Sequence, residues 1–392
     1  MEKISPLSIQ IHFRETLPHL HYTKFLTVPL CKLLKQLEEY IKDDRLKEAR
    51  RTLDFIDAHY DTIYCITQEV YLDLLKTYYY FKDNQTSMGI KTYEQRVLIY
   101  TQGCEMSPDL KYIYSYVSGL YYFNLKEYPL SLKYFLFARK EAKVISWVAE
   151  SFLGLAIVCH KLGYKYRGID FARKAFELFQ EANSRIGTFK AILILGTLHW
   201  EIGEIKTARA QLDKALRLCN TDLCEPWKGM IYYYLGLIYF SEEDFGESLD
   251  YFYKSLKIDN RISPVIRTYY YILDIHLRQG DLRRVRQILN KVSSHIQSEE
   301  DKYILKVIKA RLNFVLGNNK LYEKDMIEAL NYFNKYGTWQ EAESLASELA
   351  EYFAKQKRYK AACLTLSKSL ESTKKMRTKE FECSELIEQY FI

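Results

Sequence analysis

A pattern of small and aromatic residues that returns every 37–40 positions limits what this chain can fold into more than any single motif does. In YIYSYVSGLYYFNLKEYPLSLKYFLFA the marks are Gly119, Tyr122, Ser131, Phe135 and Ala138. They return as Ala156, Cys159, Gly168, Ala172 and Ala175, then as Gly196, His199, Ala208, Leu212 and Ala215, then as Gly236, Tyr239, Ser248, Phe252 and Ser255. Weaker copies stand at Leu273, His276, Val285, Leu289 and Val292, and around Ala310–Met326. A clearer one closes the series at Ala350, Phe353, Ala362, Leu366 and Ser369, while Leu37, Tyr40, Ala49 and Leu53 open it. Residues 70–100 form an irregular further copy. A fixed period of this size is the signature of stacked supersecondary units, each too small to bury its own apolar face. Each unit reads as two antiparallel helices. The small residues let the helices approach closely, and the aromatic of the second helix plugs the gap to the next pair.

Composition agrees with an all-α chain. Across 392 residues there are only 15 Gly and 7 Pro, too few for a protein of many tight β-turns, and 48% hydrophobic with 27% charged residues is enough to build a core. Tyrosine is over-represented at 35, in runs such as 78–80, 232–234 and 269–271. The net charge of +7 is small for this length and favours acidic partners mildly without requiring nucleic acid. No apolar run approaches the roughly 18 residues of a membrane span, and the start of the chain lacks a signal-peptide core. Eight scattered cysteines, with no CxxC, read as reduced thiols in a cytoplasmic protein.

The pattern resembles the tetratricopeptide repeat family over about residues 31–370, with repeats longer than the usual roughly 34. The resemblance implies a right-handed superhelix of about seven to nine helix pairs with a concave inner face. Expected boundaries are an N-terminal helical region at 1–100, the repeat domain at 101–375 and a capping segment at 376–392. Three stretches narrow the likeness: IDFARKAFELFQEA (169–182), DLKYIYSYVSGLYYFNLKEYPLSLKYF (109–135) and LAEYFAKQKRYKAACLTLSKSLE (349–371). They are similar to the quorum-sensing repeat regulators of Gram-positive bacteria, most of all the Rap group of response-regulator phosphatases and anti-activators. That implies a cytoplasmic regulator with two kinds of partner, a short peptide held in the groove and a response regulator or similar protein. A homodimer stays open. Some relatives begin with a helix-turn-helix domain. Here Pro6, Pro18 and Pro29 interrupt the first thirty residues, so direct DNA binding is not expected. Two alternatives stand beside this reading: a scaffold whose groove holds a partner protein's tail, and a transcription regulator of the same superfamily without a recognisable DNA reader.

Rap phosphatases orient water with a glutamine, and laying the first helices over one another brings Gln68 to that place. An amide suits the task because it donates and accepts hydrogen bonds without adding charge beside a phosphoryl group. The family's neighbouring acidic signature is replaced here by residues 64–67, so Gln68 is equally a polar residue at a helix start. No phosphate loop, HExxH or nucleophile elbow accompanies it. No cofactor is called for; His19 and His21 lie among loop-forming neighbours, and no metal site is read from them. Counting from the packing marks puts Tyr116, Phe123, Asn124, His160, Lys161, Lys190, Trp200, Glu201, Tyr233, Arg267, Tyr270, Asp274, Arg278 and Arg311 on the inner face of the first helices. Tyrosines offer rigid area and a hydroxyl, and arginines fork onto carboxylates, which suits an extended peptide with its C-terminal carboxylate held by arginine.

Overall fold

The computed structural model describes residues 29–60, 65–101, 107–219, 225–258, 264–336 and 338–368, with a few isolated positions besides. All regular structure among them is helical. The first pair is α1 (Leu30–Lys42) and α2 (Leu46–His59), and the second is α3 (Ile66–Lys82) and α4 (Thr86–Thr92). Beyond α4 the chain passes through a π-helical turn, Tyr93–Val97, into the short α5 (Leu98–Thr101). Then come α6 (Pro108–Asn124) with α7 (Tyr128–Glu141), α8 (Ile145–Leu162) with α9 (Lys165–Glu181), and α10 (Arg185–Glu201) with α11 (Ile205–Leu218). The remaining pairs are α12 (Glu225–Ser241) with α13 (Phe245–Lys257), α14 (Val265–Arg278) with α15 (Leu282–Val292), and α16 (Glu299–Val315) with α17 (Asn319–Tyr336). Last, α18 (Trp339–Lys355) pairs with a helix over residues 359–368. These nine pairs among the described residues stand at the upper end of the seven to nine that the resemblance implied.

Every turn inside a pair is closed in the same way. One residue in each takes the left-handed backbone: Asp44, Asn84, Lys126, Gly163, Gly203, Glu243, Gly280, Gly317 and Lys357, with φ between 55° and 83°. The N–H of the next residue then donates to the carbonyl five positions back. Examples are Glu127 to Tyr122 at 2.9 Å, Tyr164 to Cys159 at 2.8 Å, Glu204 to His199 at 2.9 Å and Asp281 to His276 at 2.9 Å. This Schellman closure satisfies carbonyls that a helix end would leave without partners and reverses the chain within three residues. Its acceptors are the second mark of the sequence ladder.

The other marks set the approach of the helices. Ser131 Oγ donates to the Gly119 carbonyl at 2.7 Å, and Ser248 Oγ repeats the bond to Gly236 at 2.9 Å. A side chain on the second helix thus reaches the backbone of the first, which only a small residue permits. Phe135 plugs between consecutive pairs: a Cβ built on Gly119 would lie 3.0 Å from its ring, and one on Gly154 of the next pair 2.7 Å. In α9 the buried residues are Gly168, Ile169, Phe171, Ala172, Ala175 and Phe179, so RGIDFARKAFELF is a packing helix.

The chain forms two compact units that part between Gly154 and Leu155, inside α8. The boundary expected at 100/101 adjoins residues 102–106, which lie outside the described residues, as do His19, His21, Ser369 and nearly all of 376–392. One reading needs correcting: α8 has 18 residues and a mean hydropathy of 1.3, long and apolar enough by length and composition to cross a membrane. Its charges Glu150 and Lys161 broke the run in the sequence. Ala149, Phe152, Leu153, Leu155, Ala156, Val158 and Cys159 are all buried, as in a core helix.

Two glycines of adjacent helices predict stability changes of opposite sign. Gly236→Ala drives a Cβ to 2.6 Å from the Phe252 ring and should cost about 1–3 kcal/mol. Gly246→Ala, whose Cβ meets only Asp244 Oδ1 at 3.6 Å, should gain about 0.4–1 kcal/mol. Thermal melts of the two variants should move down and up respectively.

Candidate functional site

The first helices of the pairs in the second unit bring charges far apart in sequence onto one face. Lys161 at the end of α8 lies in the field of Arg267 on α14, Glu201 on α10, Glu300 on α16 and Glu341 on α18. Groups up to 180 positions apart interact there because successive first helices present the same side. Lys161 is exposed to water, yet the protein crowded around its ammonium and then Arg267 lower its pKa from the ordinary lysine value, against the pull of the three glutamates. Among the described residues it makes no ion pair.

The other groups are tied together. His160 Nε2 lies 2.7 Å from Glu201 Oε1, and Lys165 Nζ donates to the Glu201 carbonyl at 3.0 Å. Arg267 bridges two helices, reaching Glu300 at 3.2 Å and Glu341 at 2.6 Å. Arg311 does the same between Asp274, at 2.8 Å, and Glu348, at 2.7 and 3.2 Å. Asp274 gives its other oxygen to Arg278 Nε at 2.9 Å. Burial works against the charge of Arg267 and Arg311, but their carboxylate and tyrosine neighbours outweigh it, and both guanidinium groups titrate above the ordinary range.

Aromatic rings line the spaces between the charges. Trp200 meets Tyr234 edge-on with ring centres 5.8 Å apart, and Tyr271 stands against Tyr233 at 6.3 Å and Phe240 at 5.1 Å. Arg278 lies 5.2 Å over Phe240 and Arg311 lies 5.4 Å over Tyr270. Burial pushes the Tyr270 hydroxyl up to about 12 and carries that of Tyr233 well above the usual range, so both stay protonated donors at neutral pH.

Of the residues singled out from sequence, His160, Lys161, Trp200, Glu201, Tyr233, Arg267, Tyr270, Asp274, Arg278 and Arg311 thus belong to one connected set in the second unit. Lys190 is buried, its ammonium 5.4 Å over the Trp227 ring. Tyr116 lies in the first unit, buried against Tyr78 and Phe135, and donates to Glu150 at 3.0 Å. Asn124, also in the first unit, donates to the Leu120 carbonyl at 2.8 Å, and Phe123 meets Tyr128. Gln68 is half-buried in the first turn of α3, where its N–H bonds the Cys65 carbonyl at 2.9 Å. Sequence reasoning missed Glu300, Glu341 and Glu348. A signal for the last existed, since Asp274, Arg311 and Glu348 follow one another at the repeat interval of 37.

An all-α protein of tetratricopeptide-like pairs, carrying a charged aromatic face on its first helices, is the class that fold and site define. No protein-family model matches the chain. It is 20% identical to the regulatory protein RapF of Bacillus subtilis over 263 residues, covering 64% of this chain and 68% of that protein. It is 21% identical to the transcriptional activator NprA of Geobacillus stearothermophilus over 355 residues, 86% of each. Among solved structures it is similar to a Rap protein complexed with Competence and Sporulation Factor, with TM-score 0.75, 16% identity and coverage of 89% of this chain and 98% of that one. NprR in complex with its cognate peptide NprX gives TM-score 0.66 at 17% identity, over 87% and 98% of the two chains. The chain is thus similar in sequence to RapF and to NprA, and it shares the fold of the Rap and NprR structures.

The lowered pKa of Lys161 yields a test. A lysine whose folded-state pKa is lowered costs stability below that pKa, and the cost fades as pH rises towards the unfolded value of 10.5. Lys161→Met should therefore raise the melting temperature at neutral pH, with the gain shrinking as the solution becomes alkaline. A lower melting temperature would show that the ammonium is well accommodated.

Proposed function

We propose that this protein is a cytoplasmic regulator that binds a short signalling peptide against the first-helix face of its second unit and controls a response-regulator-type protein through direct contact. The observation that carries this reading is the convergence of Lys161, Glu201, Tyr233, Arg267, Glu300 and Glu341 from alternate helices into one electrostatic field. A surface with both signs of charge beside rigid rings offers a peptide donors and acceptors for its backbone, a cation for its C-terminus and area for its side chains. The protein solved with its cognate peptide NprX supports the ligand class by its similar fold. Ligand binding and partner control are coupled to the extent that the ligand binds two arrangements of the helices unequally.

Removal of a phosphoryl group from the partner is the finer part of this proposal, and Gln68 is its carrier. Its side chain makes no hydrogen bond to another described residue, and its position in the first turn of α3 suits the orientation of a water molecule. Sequestration of the partner is the reading that needs no Gln68 chemistry.

Calorimetric titration with synthetic peptides of about five to seven residues encoded next to the gene should show saturable binding, weakened about tenfold or more by Arg278→Ala. Absence of binding by the wild type would remove the peptide reading. In a decay assay of the phosphorylated partner, Gln68→Ala should lose any acceleration that the wild type gives. Equal rates for the two would leave sequestration as the function.

A further inference from the structure

The forked edge of the Arg311 guanidinium is already occupied by a carboxylate of the chain. Its Nε and one terminal nitrogen both point at Glu348, at 3.2 and 2.7 Å, in a fork on the two carboxylate oxygens. The other terminal nitrogen donates to Asp274 at 2.8 Å. Tyr322 adds a hydroxyl to Glu348 at 3.3 Å, and the Tyr270 ring lies under the guanidinium at 5.4 Å. A forked arginine, a tyrosine hydroxyl and a ring beneath make a complete carboxylate subsite, and the carboxylate in it belongs to the chain.

The two carboxylates on Arg311 differ in kind. Asp274 is 8% exposed at its side chain and is held from its other side by Arg278, so it is fixed. Glu348 is 30% exposed and stands on α18, the last first-helix of the array. It is the one that can leave without stranding a buried charge, since its head reaches water as it goes.

We propose that Glu348 is an internal stand-in for the ligand's carboxylate, so that an anionic peptide enters this subsite by exchange. The incoming carboxylate takes the Arg311 fork and the Tyr322 hydroxyl, and Glu348 turns to solvent. The exchange cuts a tie between α18 and α16, which links occupancy of the site to the freedom of the C-terminal pair. Because one carboxylate replaces another on the same donors, affinity is set by the difference between the two, and a ligand lacking the group gains nothing there. This deepens the peptide-binding reading and rests on it for the identity of the ligand, though the subsite is testable without any peptide.

Acetate is the first probe. In Glu348→Ala the fork is vacated, and sodium acetate should raise the melting temperature well beyond sodium chloride of equal ionic strength. It should do so in neither the wild type nor the Arg311→Met/Glu348→Ala double variant. Glu348→Gln, which keeps the size of the side chain and loses its charge, serves if the alanine variant fails to fold. No acetate-specific rise in either variant overturns the proposal. The second probe is a fluorescent pool of random hexapeptides, read by anisotropy. With free C-terminal carboxylates and Glu or Asp excluded from the sequence, the pool should bind Glu348→Gln about tenfold more tightly than wild type. The same pool amidated at the C-terminus should show no difference. Equal tightening of both pools, or none with the free acid, overturns the exchange. Acetate rescue with no pool bound by any form would sustain the subsite while removing the peptide reading.

Discussion

One left-handed residue in each intra-pair turn is the constraint on which the rest of this protein depends. It closes the helix, reverses the chain and fixes the rotation of the second helix against the first. Four of the nine positions are glycine; the others are Asp44, Asn84, Lys126, Glu243 and Lys357, where the conformation costs an L-residue roughly 1 kcal/mol or more. The closure is nonetheless kept every time, because two hydrogen bonds at the helix end and the packing of the following helix offset that cost. Since the geometry repeats, each first helix within the second unit presents the same side as the one before it. The charged face of the second unit follows from this repetition.

The repeating scaffold and the chemistry draw on different residues. Small residues and rings such as Gly236, Ser248 and Phe252 mediate contact between helices and are buried. The charges of the candidate site stand on the same first helices, and Tyr233 joins the two sets, its ring 6.1 Å from that of Phe252. Tyrosine serves both, which accounts for its abundance: Tyr122 and Tyr239 stack on Tyr134 and Tyr251 between paired helices, while Tyr233 and Tyr270 line the charged face.

Much of the fold was legible because packing leaves a periodic trace. Spacing alone located Tyr122, Cys159, His199, Tyr239 and His276, and these are the carbonyl acceptors of the turn closures. The inner face was legible where it shares that period, as at Asp274 and Arg311. It was not legible at Glu300 and Glu341, which sit in the first turns of their helices and meet Arg267 through the superposition of three helices. Nor does spacing show that Tyr116 and Lys190 have their side chains enclosed, because burial is set by the neighbouring pair. The membrane-length apolar character of α8 is hidden in the sequence for the converse reason: two charges interrupt a run whose other residues are mostly core.

The central claim is that residues of separate repeats meet on one face and act on one another. Arg267 and Glu341 stand 74 positions apart and 2.6 Å from each other. A double-mutant cycle of Arg267→Met and Glu341→Gln, read as unfolding free energy at low salt, measures that meeting directly. The account predicts a coupling of about 0.5–3 kcal/mol that weakens as salt is added. Strictly additive effects of the two substitutions would contradict it.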